Sequence, residues 1–309
     1  MNPRYRVAIL LFALSGCGPG GTSEFLSLGT AGTGGVYYPL GGAIASSLSI
    51  ADSARQFTAE VSGGSVENIN RLAEGQIDLA FSLSVSAYQG YHAEGDFTTA
   101  VDGLRVLAPL YPNVSHIVVP GNSEARSIAD LRGAKISVGS AGSGTEQISR
   151  HLLAAHGISY EEVEPRYLTF NESATALRDG AIDAAMISVG YPAAAILEVS
   201  TTSSVKILPV DPAVIEEMRA DHPYYNTGEL PAGVYPGVEV PIPTLIAMNW
   251  IVGLESVPDE VVTNLLGILR DRKAALEAAH DMARLIDLAN LEHAPIPLHP
   301  ATSAWMEGR

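Results

Sequence analysis

Hydrophobic and polar positions alternate in two registers along this chain. Leu26 and Leu28 flank Ser27 with the period of a strand. Leu40, Ile44 and Leu48 then recur every four residues, the apolar stripe of a helix. Pro39 suits the first turn of that helix, where its missing N–H costs nothing. The same succession returns further on, so that Leu26–Ser84 and Lys135–Gly190 form two similar units. Each runs from a strand through a glycine-rich turn into a helix, then a strand, a polar turn and a second helix. Each closes on a buried strand after a glycine. Arg71-Leu-Ala-Glu-Gly-Gln-Ile-Asp78 answers Ala176-Leu-Arg-Asp-Gly-Ala-Ile-Asp183, with Gly75 and Gly180 at the positions that end a helix. Strands alternating with helices predict α/β architecture with parallel sheets, and two units predict two lobes with a sheet each.

The apolar runs Leu104–Pro112, Ser115–Val119 and Pro241–Val252 contain prolines and predict crossover strands between the lobes. Ser256 is the expected N-cap of a helix buried through Val262, Leu265, Leu266 and Leu269. A second amphipathic helix is expected over about residues 274–288.

The two glycine-rich turns carry the candidate chemistry. The first is Gly29-Thr-Ala-Gly-Thr-Gly-Gly-Val36, and no charged side chain occurs from Phe25 to Ala51. Gly29, Gly32, Gly34 and Gly35 are expected to allow positive φ and close approach of a ligand. The second is Gly139-Ser-Ala-Gly-Ser-Gly-Thr145. Both offer hydroxyls, backbone N–H groups and the positive end of a helix, which suits a small anion or polar solute. Charge-assisted hydrogen bonds contribute roughly 1.5–3 kcal/mol each, while micromolar affinity needs about −8 kcal/mol net. Two opposed turns can therefore hold a carboxylate without arginine.

The expected contacts in the first turn are Thr33, Gly34, Gly35, Val36 and Tyr37. In the second they are Ser140, Gly142, Ser143, Gly144 and Thr145. Gly64, Ser65, Asn68, Ser82, Ser84, Ser188 and Gly190 leave strand ends and are placed in the same cleft. Tyr191 and Tyr235 join them as tyrosines beside glycines that can stack and hydrogen-bond.

Other chemistries lack their motifs. No lysine completes a phosphate loop, Tyr37 replaces the third glycine of a dinucleotide fingerprint, and no serine has the nucleophile-elbow frame. The histidines are scattered, with His151 and His156 five apart, so no metal, cofactor or catalytic residue is assigned. Asp78 and Asp183 occupy equivalent places and are expected to be structural.

Composition adds the compartment. The 309 residues are 47% hydrophobic and 17% charged, with net charge −16, which disfavours nucleic acid as a partner. Arg4 and Arg6 precede an apolar run from Val7 to Leu14, too short to span a bilayer and typical of a signal peptide over residues 1–16. Leu14-Ser-Gly-Cys17 resembles a bacterial lipobox. It predicts lipidation of Cys17, a tether over residues 17–22 and export to the periplasmic side of the envelope.

Taken together, the motifs resemble one family along nearly the whole chain after the tether. Gly32-Thr-Gly-Gly-Val-Tyr-Tyr-Pro39, Ser62-Gly-Gly-Ser-Val-Glu-Asn68 and Gly139-Ser-Ala-Gly-Ser-Gly-Thr145 stand in the order found in TAXI-type solute-binding proteins of TRAP transporters. Gly190-Tyr-Pro192, Pro231-Ala-Gly-Val-Tyr-Pro-Gly237 and Pro297-Leu-His-Pro300 continue it. The resemblance implies a two-lobe periplasmic-binding fold of type II kind, hinge-linked, with a ligand cleft between the lobes. Lobe I would comprise 23–112 and 243–309, and lobe II 113–242. It also implies delivery of a small carboxylate, such as glutamate or 2-oxoglutarate, to TRAP permease subunits driven by an ion gradient. Members often carry Gln-Ser-Asp where Leu83-Ser-Val85 stands here, and Tyr-Pro-Glu where Tyr111-Pro-Asn113 stands. Losing both acidic side chains disfavours a ligand amino group. An exported enzyme on the same fold, or an adaptor for a signalling receptor, are the alternatives.

Overall fold

A computed structural model describes residues 24–308. Residues 1–16, the tether over 17–22 and the lipidation site Cys17 lie outside them. The first unit is β1 (Glu24–Gly29), α1 (Tyr37–Ala51), β2 (Arg55–Glu60), α2 (Ser65–Ala73), β3 (Leu79–Leu83) and α3 (Ser84–His92). A long strand β4 (Leu104–Pro120) follows. The second unit is β5 (Lys135–Ser137), α4 (Gly144–Ala155), β6 (Glu164–Arg166), α5 (Phe170–Arg178), β7 (Ala184–Val189) and α6 (Ala194–Thr202). Then come β8 (Val205–Leu208), α7 (Pro212–Met218), β9 (Tyr225–Leu230), β10 (Ile242–Leu254), α8 (Asp259–Asp271), α9 (Lys273–Ala279) and α10 (Pro300–Glu307). Among the described residues no helix is long and apolar enough to cross a membrane.

The repeat seen in the sequence is a repeat of topology. The first unit pairs its strands β2-β1-β3, all parallel, and the second pairs β6-β5-β7, all parallel. Helices α2 and α5 end alike. Gly75 at φ 67° and Gly180 at φ 68° donate to Leu72 and Leu177, while Gln76 and Ala181 donate to Arg71 and Ala176. Each is a Schellman turn, which satisfies carbonyls the helix leaves open. Asp78 accepts the Ser27 amide at 2.7 Å, and Asp183 accepts the Lys135 amide at 2.7 Å. Asp78 fastens the middle of β1 and Asp183 the start of β5, the structural role their equivalence implies.

The two units share one hydrogen-bonded sheet rather than holding one each, in the order β2-β1-β3-β10-β4-β7-β5-β6. The runs at 104–112 and 115–119 are one strand. Strand β4 meets β10 first, then β7 through Val114–Val118 and β8 through its last residues. Strand β10 meets β9 first, then β3 through Asn249–Gly253. Both strands thus change partners near their middles, and the β4–β10 register slips between Met248 and Trp250. Such an irregularity bends a strand and re-aims its side chains.

One large apolar cluster joins Leu28, Leu40 and Ile44 to Leu265 and Leu269 of α8, and a second gathers Ile136, Val138, Leu152 and Leu153. Leu83 and Val85 of the first unit lie in the second cluster, so α3 reaches across.

Two helix expectations need correcting. Helix α8 starts at Asp259 with Pro258 in the capping position, because Pro258 at ψ 135° is outside the helix, so Ser256 is not the cap. The tract 274–288 is not one helix. It stops at Ala279, where His280 turns extended and its ring accepts the Met282 amide, and two short 3₁₀ segments follow.

Candidate functional site

Four helix starts converge on one cavity of about 270 Å³. Val36 and Tyr37 bring the start of α1, Gly64 and Ser65 that of α2, Ser143 to Thr145 that of α4, and Thr169 to Asn171 that of α5. The first N–H groups of a helix have no acceptor within it, so each start turns partial positive charge inward.

The starts come in two cross-lobe pairs. A Cβ built on Gly64 would lie 3.3 Å from Ser143, and one on Gly144 would lie 3.0 Å from Ser65 Oγ. The Glu67 amide donates to Gly142 O at 3.0 Å. On the other side a Cβ on Gly34 would collide with the Asn171 amide, and one on Gly35 would lie 3.2 Å from Phe170. The floor between the pairs is Leu83, Tyr111, Asn113, Ser188 and Val189.

Among the described residues no Asp, Glu, Lys, Arg or His lines the cavity. The acidic residues in the first helical turns are engaged elsewhere. Glu67 accepts the Gly63 amide, Glu146 pairs with Arg150, and Glu172 accepts the Thr169 amide. Among the described residues no three His, Cys, Asp or Glu are grouped to hold a metal.

Beneath the floor runs a buried chain of hydrogen bonds. Tyr37 donates to Asn249 Oδ1 at 2.5 Å, Asn249 Nδ2 donates to Tyr111 O at 2.8 Å and to Asn113 Oδ1 at 2.7 Å, and Asn113 Nδ2 donates to Ser188 O at 2.9 Å. Asn249 sits where the β4–β10 register slips, and its side-chain amide bonds the Tyr111 carbonyl on β4. Burial pushes the Tyr37 phenol up, opposed in part by Ser65, and pushes the Tyr111 phenol up, with Tyr37 adding to it. Both stay protonated. His116, further along β4, is buried against Ile187 O, and burial lowers it to about 4.

Of the residues placed in the site from sequence, twelve line this cavity: Thr33, Gly34, Gly35, Val36, Tyr37, Gly64, Ser65, Ser140, Ser143, Gly144, Thr145 and Ser188. Seven do not. Asn68 Nδ2 is spent on Thr30 O and Phe81 O. Ser82 and Ser84 lie one residue either side of Leu83, which lines the cavity, and alternation turns them away. Ser82 bonds Leu83 O, and Ser84 bonds Met248 O. Gly142 at φ 72° shapes its turn from outside. Gly190 gives Tyr111 room, since a Cβ there would lie 2.9 Å from its ring. Tyr191 packs on the core, and Tyr235 donates to no ligand face but caps the Ala193 amide beside His116. The first turn's glycines do not adopt positive φ, contrary to expectation. A Cβ on Gly29 would lie 2.6 Å from Ile77 and 2.7 Å from Asn68, so its smallness serves packing.

Sequence reasoning passed over Thr169, Phe170 and Asn171 as contacts. Thr169 and Glu172 form a capping box, a signal of a fourth helix start that the chain displays openly. Tyr111 stood out only as part of the family pattern and Asn113 only as a departure from it; their place on the floor follows from strand pairing.

This architecture has solved relatives. PhnD1 from Prochlorococcus marinus in complex with methylphosphonate superposes with a TM-score of 0.58 at 12% identity, over 92% of this chain and 96% of that one. The alkanesulfonate-binding protein SsuA from Xanthomonas axonopodis pv. citri bound to MOPS gives 0.51 at 16% identity, over 89% and 84%. The chain thus has the two-lobe α/β fold of periplasmic substrate-binding proteins. It belongs to the NMT1-like family, whose profile matches residues 28–307. In sequence, 90 residues are 31% identical to an Escherichia coli K12 protein named "Putative aliphatic sulfonates-binding protein". That match spans 29% of this chain and 28% of the relative's length.

Proposed function

We propose that this protein is an extracytoplasmic solute-binding protein that closes its lobes on a small organic anion and delivers it to a membrane permease. It acts as a carrier rather than an enzyme. The observation that carries the proposal is the convergence of four helix starts on a cavity without charged side chains. Such a site attracts an anion through N–H dipoles and hydroxyls and offers a cation nothing comparable. Methylphosphonate and MOPS, named with the two solved relatives, are consistent with anion capture on this fold. Export by the signal segment and anchoring at Cys17 complete the scheme.

The motif order that resembles TAXI proteins supports a TRAP-type permease and a carboxylate ligand. A second reading is favoured by a solved relative described as the substrate binding protein of an amino acid ABC transporter, with TM-score 0.52 at 15% identity. There the permease would be ATP-driven.

A thermal-shift screen of the purified protein against carboxylates, sulfonates and phosphonates tests the capture step. We expect at least one of these anions to raise the midpoint in a concentration-dependent way. A flat response to all three classes overturns it. Uptake by cells that express the protein together with a TRAP or an ABC permease separates the two partners: collapse by an ionophore at normal ATP supports TRAP, and dependence on ATP alone supports ABC.

A further inference from the structure

The two cross-lobe seams that enclose the cavity are unequal. Along the α2/α4 seam the Glu67 amide donates to Gly142 O at 3.0 Å. Behind it lies a buried network. Ser86 Oγ donates to Gln147 Oε1, and Gln147 Nε2 donates to Gln89 Oε1 at 2.7 Å and to Asp96 Oδ2 at 3.0 Å. Ser86, Gln89 and Gln147 are buried, and Arg150 adds an ion pair to Asp96 at 3.2 Å. Parting the units here breaks a network in low dielectric, where each lost partner is expensive. Along the α1/α5 seam the bonds are longer and closer to solvent. Asn171 Nδ2 reaches Thr33 Oγ1 at 3.5 Å, and the Ala195 amide reaches Gly34 O at 3.3 Å. Exposed contacts of that kind open first. The cavity meets solvent on the same side: three of its lining residues are exposed, Thr33, Val61 and Asn171. Of these Asn171 comes from the second unit, and it leans over Gly34 so closely that a Cβ there would collide with its carboxamide. The capping box of Thr169 and Glu172 fixes the backbone beneath it, so the part free to move is the side chain.

We infer that Asn171 is the gate residue of the cavity. Its side chain lies across the mouth between α1 and α5, solute passes beneath it, and the α2/α4 seam is the last to part. This rests on the capture reading, which gives the cavity a solute to guard. Gly34 is the other half of the gate, since its bare Cα is what lets the carboxamide lie down.

Thiol labelling tests the gate without a ligand. Cys17 is the only cysteine of the chain, so Cys17→Ser with Val189→Cys leaves one thiol, buried on the cavity floor. The probe is 2-sulfonatoethyl methanethiosulfonate, a small anion that forms a mixed disulfide with the thiol and releases methanesulfinate. Adding Asn171→Ala should raise the labelling rate about threefold to tenfold, as loss of one weak cross-lobe contact shifts an opening equilibrium. Its thermal midpoint should hold, because the residue is exposed. Ser86→Ala, in the other seam, should raise the rate less. Gly34→Ala should act as Asn171→Ala does: Gly34 has no positive φ, so the methyl fits the backbone and displaces the carboxamide. The two together should be no faster than either alone, whereas independent contacts would multiply. An unchanged rate in Asn171→Ala, or a larger rise in Ser86→Ala, overturns the gate and leaves anion capture standing, since the thermal-shift screen decides that separately. Should Val189→Cys fail to fold, Val36→Cys puts the thiol on a second buried lining position with the same expectations.

Discussion

In the first glycine-rich turn Gly32, Gly34 and Gly35 keep ordinary backbone, whereas the second places Gly139 at φ 100° and Gly142 at φ 72°. The helix after the first turn has Val36 at its N-cap and no side-chain cap, while Ser143 caps the second. Gly34 and Gly35 are small because side chains of the opposite lobe press on them. Gly139 and Gly142 are glycine because the backbone there bends into the left-handed region. The two turns look interchangeable as strings, yet one is shaped by fit between lobes and the other largely by its own dihedrals. Changes in the first should therefore be read in ligand affinity, and changes in the second in folding stability too.

Gly144 is the residue of the second turn pressed most tightly by the opposite lobe's side chains, and it should show the largest effect. A Cβ there would lie 2.7 Å from Leu83 and 3.0 Å from both Ser65 and Ser86. Gly144→Val should hold the lobes apart and reduce affinity about 100-fold or more in titration calorimetry, as loss of several matched hydrogen bonds would. Affinity near that of the wild type would show that these contacts are not part of closure.

Acid gives the next effect. His116 lies on β4 and His151 on α4 of the second unit, and burial lowers them to about 4 and about 3. An unfolded imidazole titrates near 6.5. The unfolded chain thus binds more protons below that value, so stability is complete above about pH 6.5 and declines as pH falls towards 4. The thermal midpoint of the ligand-free protein should follow that course, and His116→Asn should flatten part of it. A midpoint level from pH 7 to 4 would contradict burial of these rings.

A smaller difference tests the cap. Ser143→Ala removes the acceptor of the Glu146 amide and should cost about 1 kcal/mol, a midpoint drop of about 2–4 °C. Thr33→Val, in the uncapped turn, should leave the midpoint in place, because Thr33 is exposed. Equal losses in calorimetry would erase the contrast. The least effect belongs to Gly32, which has no atom near its Cβ position and no positive φ. Gly32→Ala should change stability by no more than about 0.5 kcal/mol in chemical denaturation.

Much of the fold was legible because its signals are local. The stripe of Leu40, Ile44 and Leu48, the terminal Gly75 and Gly180, and the matched Asp78 and Asp183 each act through neighbours a few residues or one strand away. Ser82, Ser84 and Tyr235 misled because hydroxyl chemistry and a glycine neighbour say nothing of which way a side chain faces. For Ser82 and Ser84 the strand period held the answer once Leu83 was known to point inward.

The sequence by itself determined the repeat, the alternation of strand and helix, and the charge-free character of both turns, since these depend on residue type and spacing. Only the tertiary structure decided that β4 and β10 fuse the halves into one sheet and that α5 brings a fourth helix start. It alone decided that the buried hydroxyls of Tyr111 and Ser188 find no partner among the described residues. Those outcomes depend on contacts between segments far apart in the chain, where pairing register and burial, rather than local preference, assign each side chain its partner.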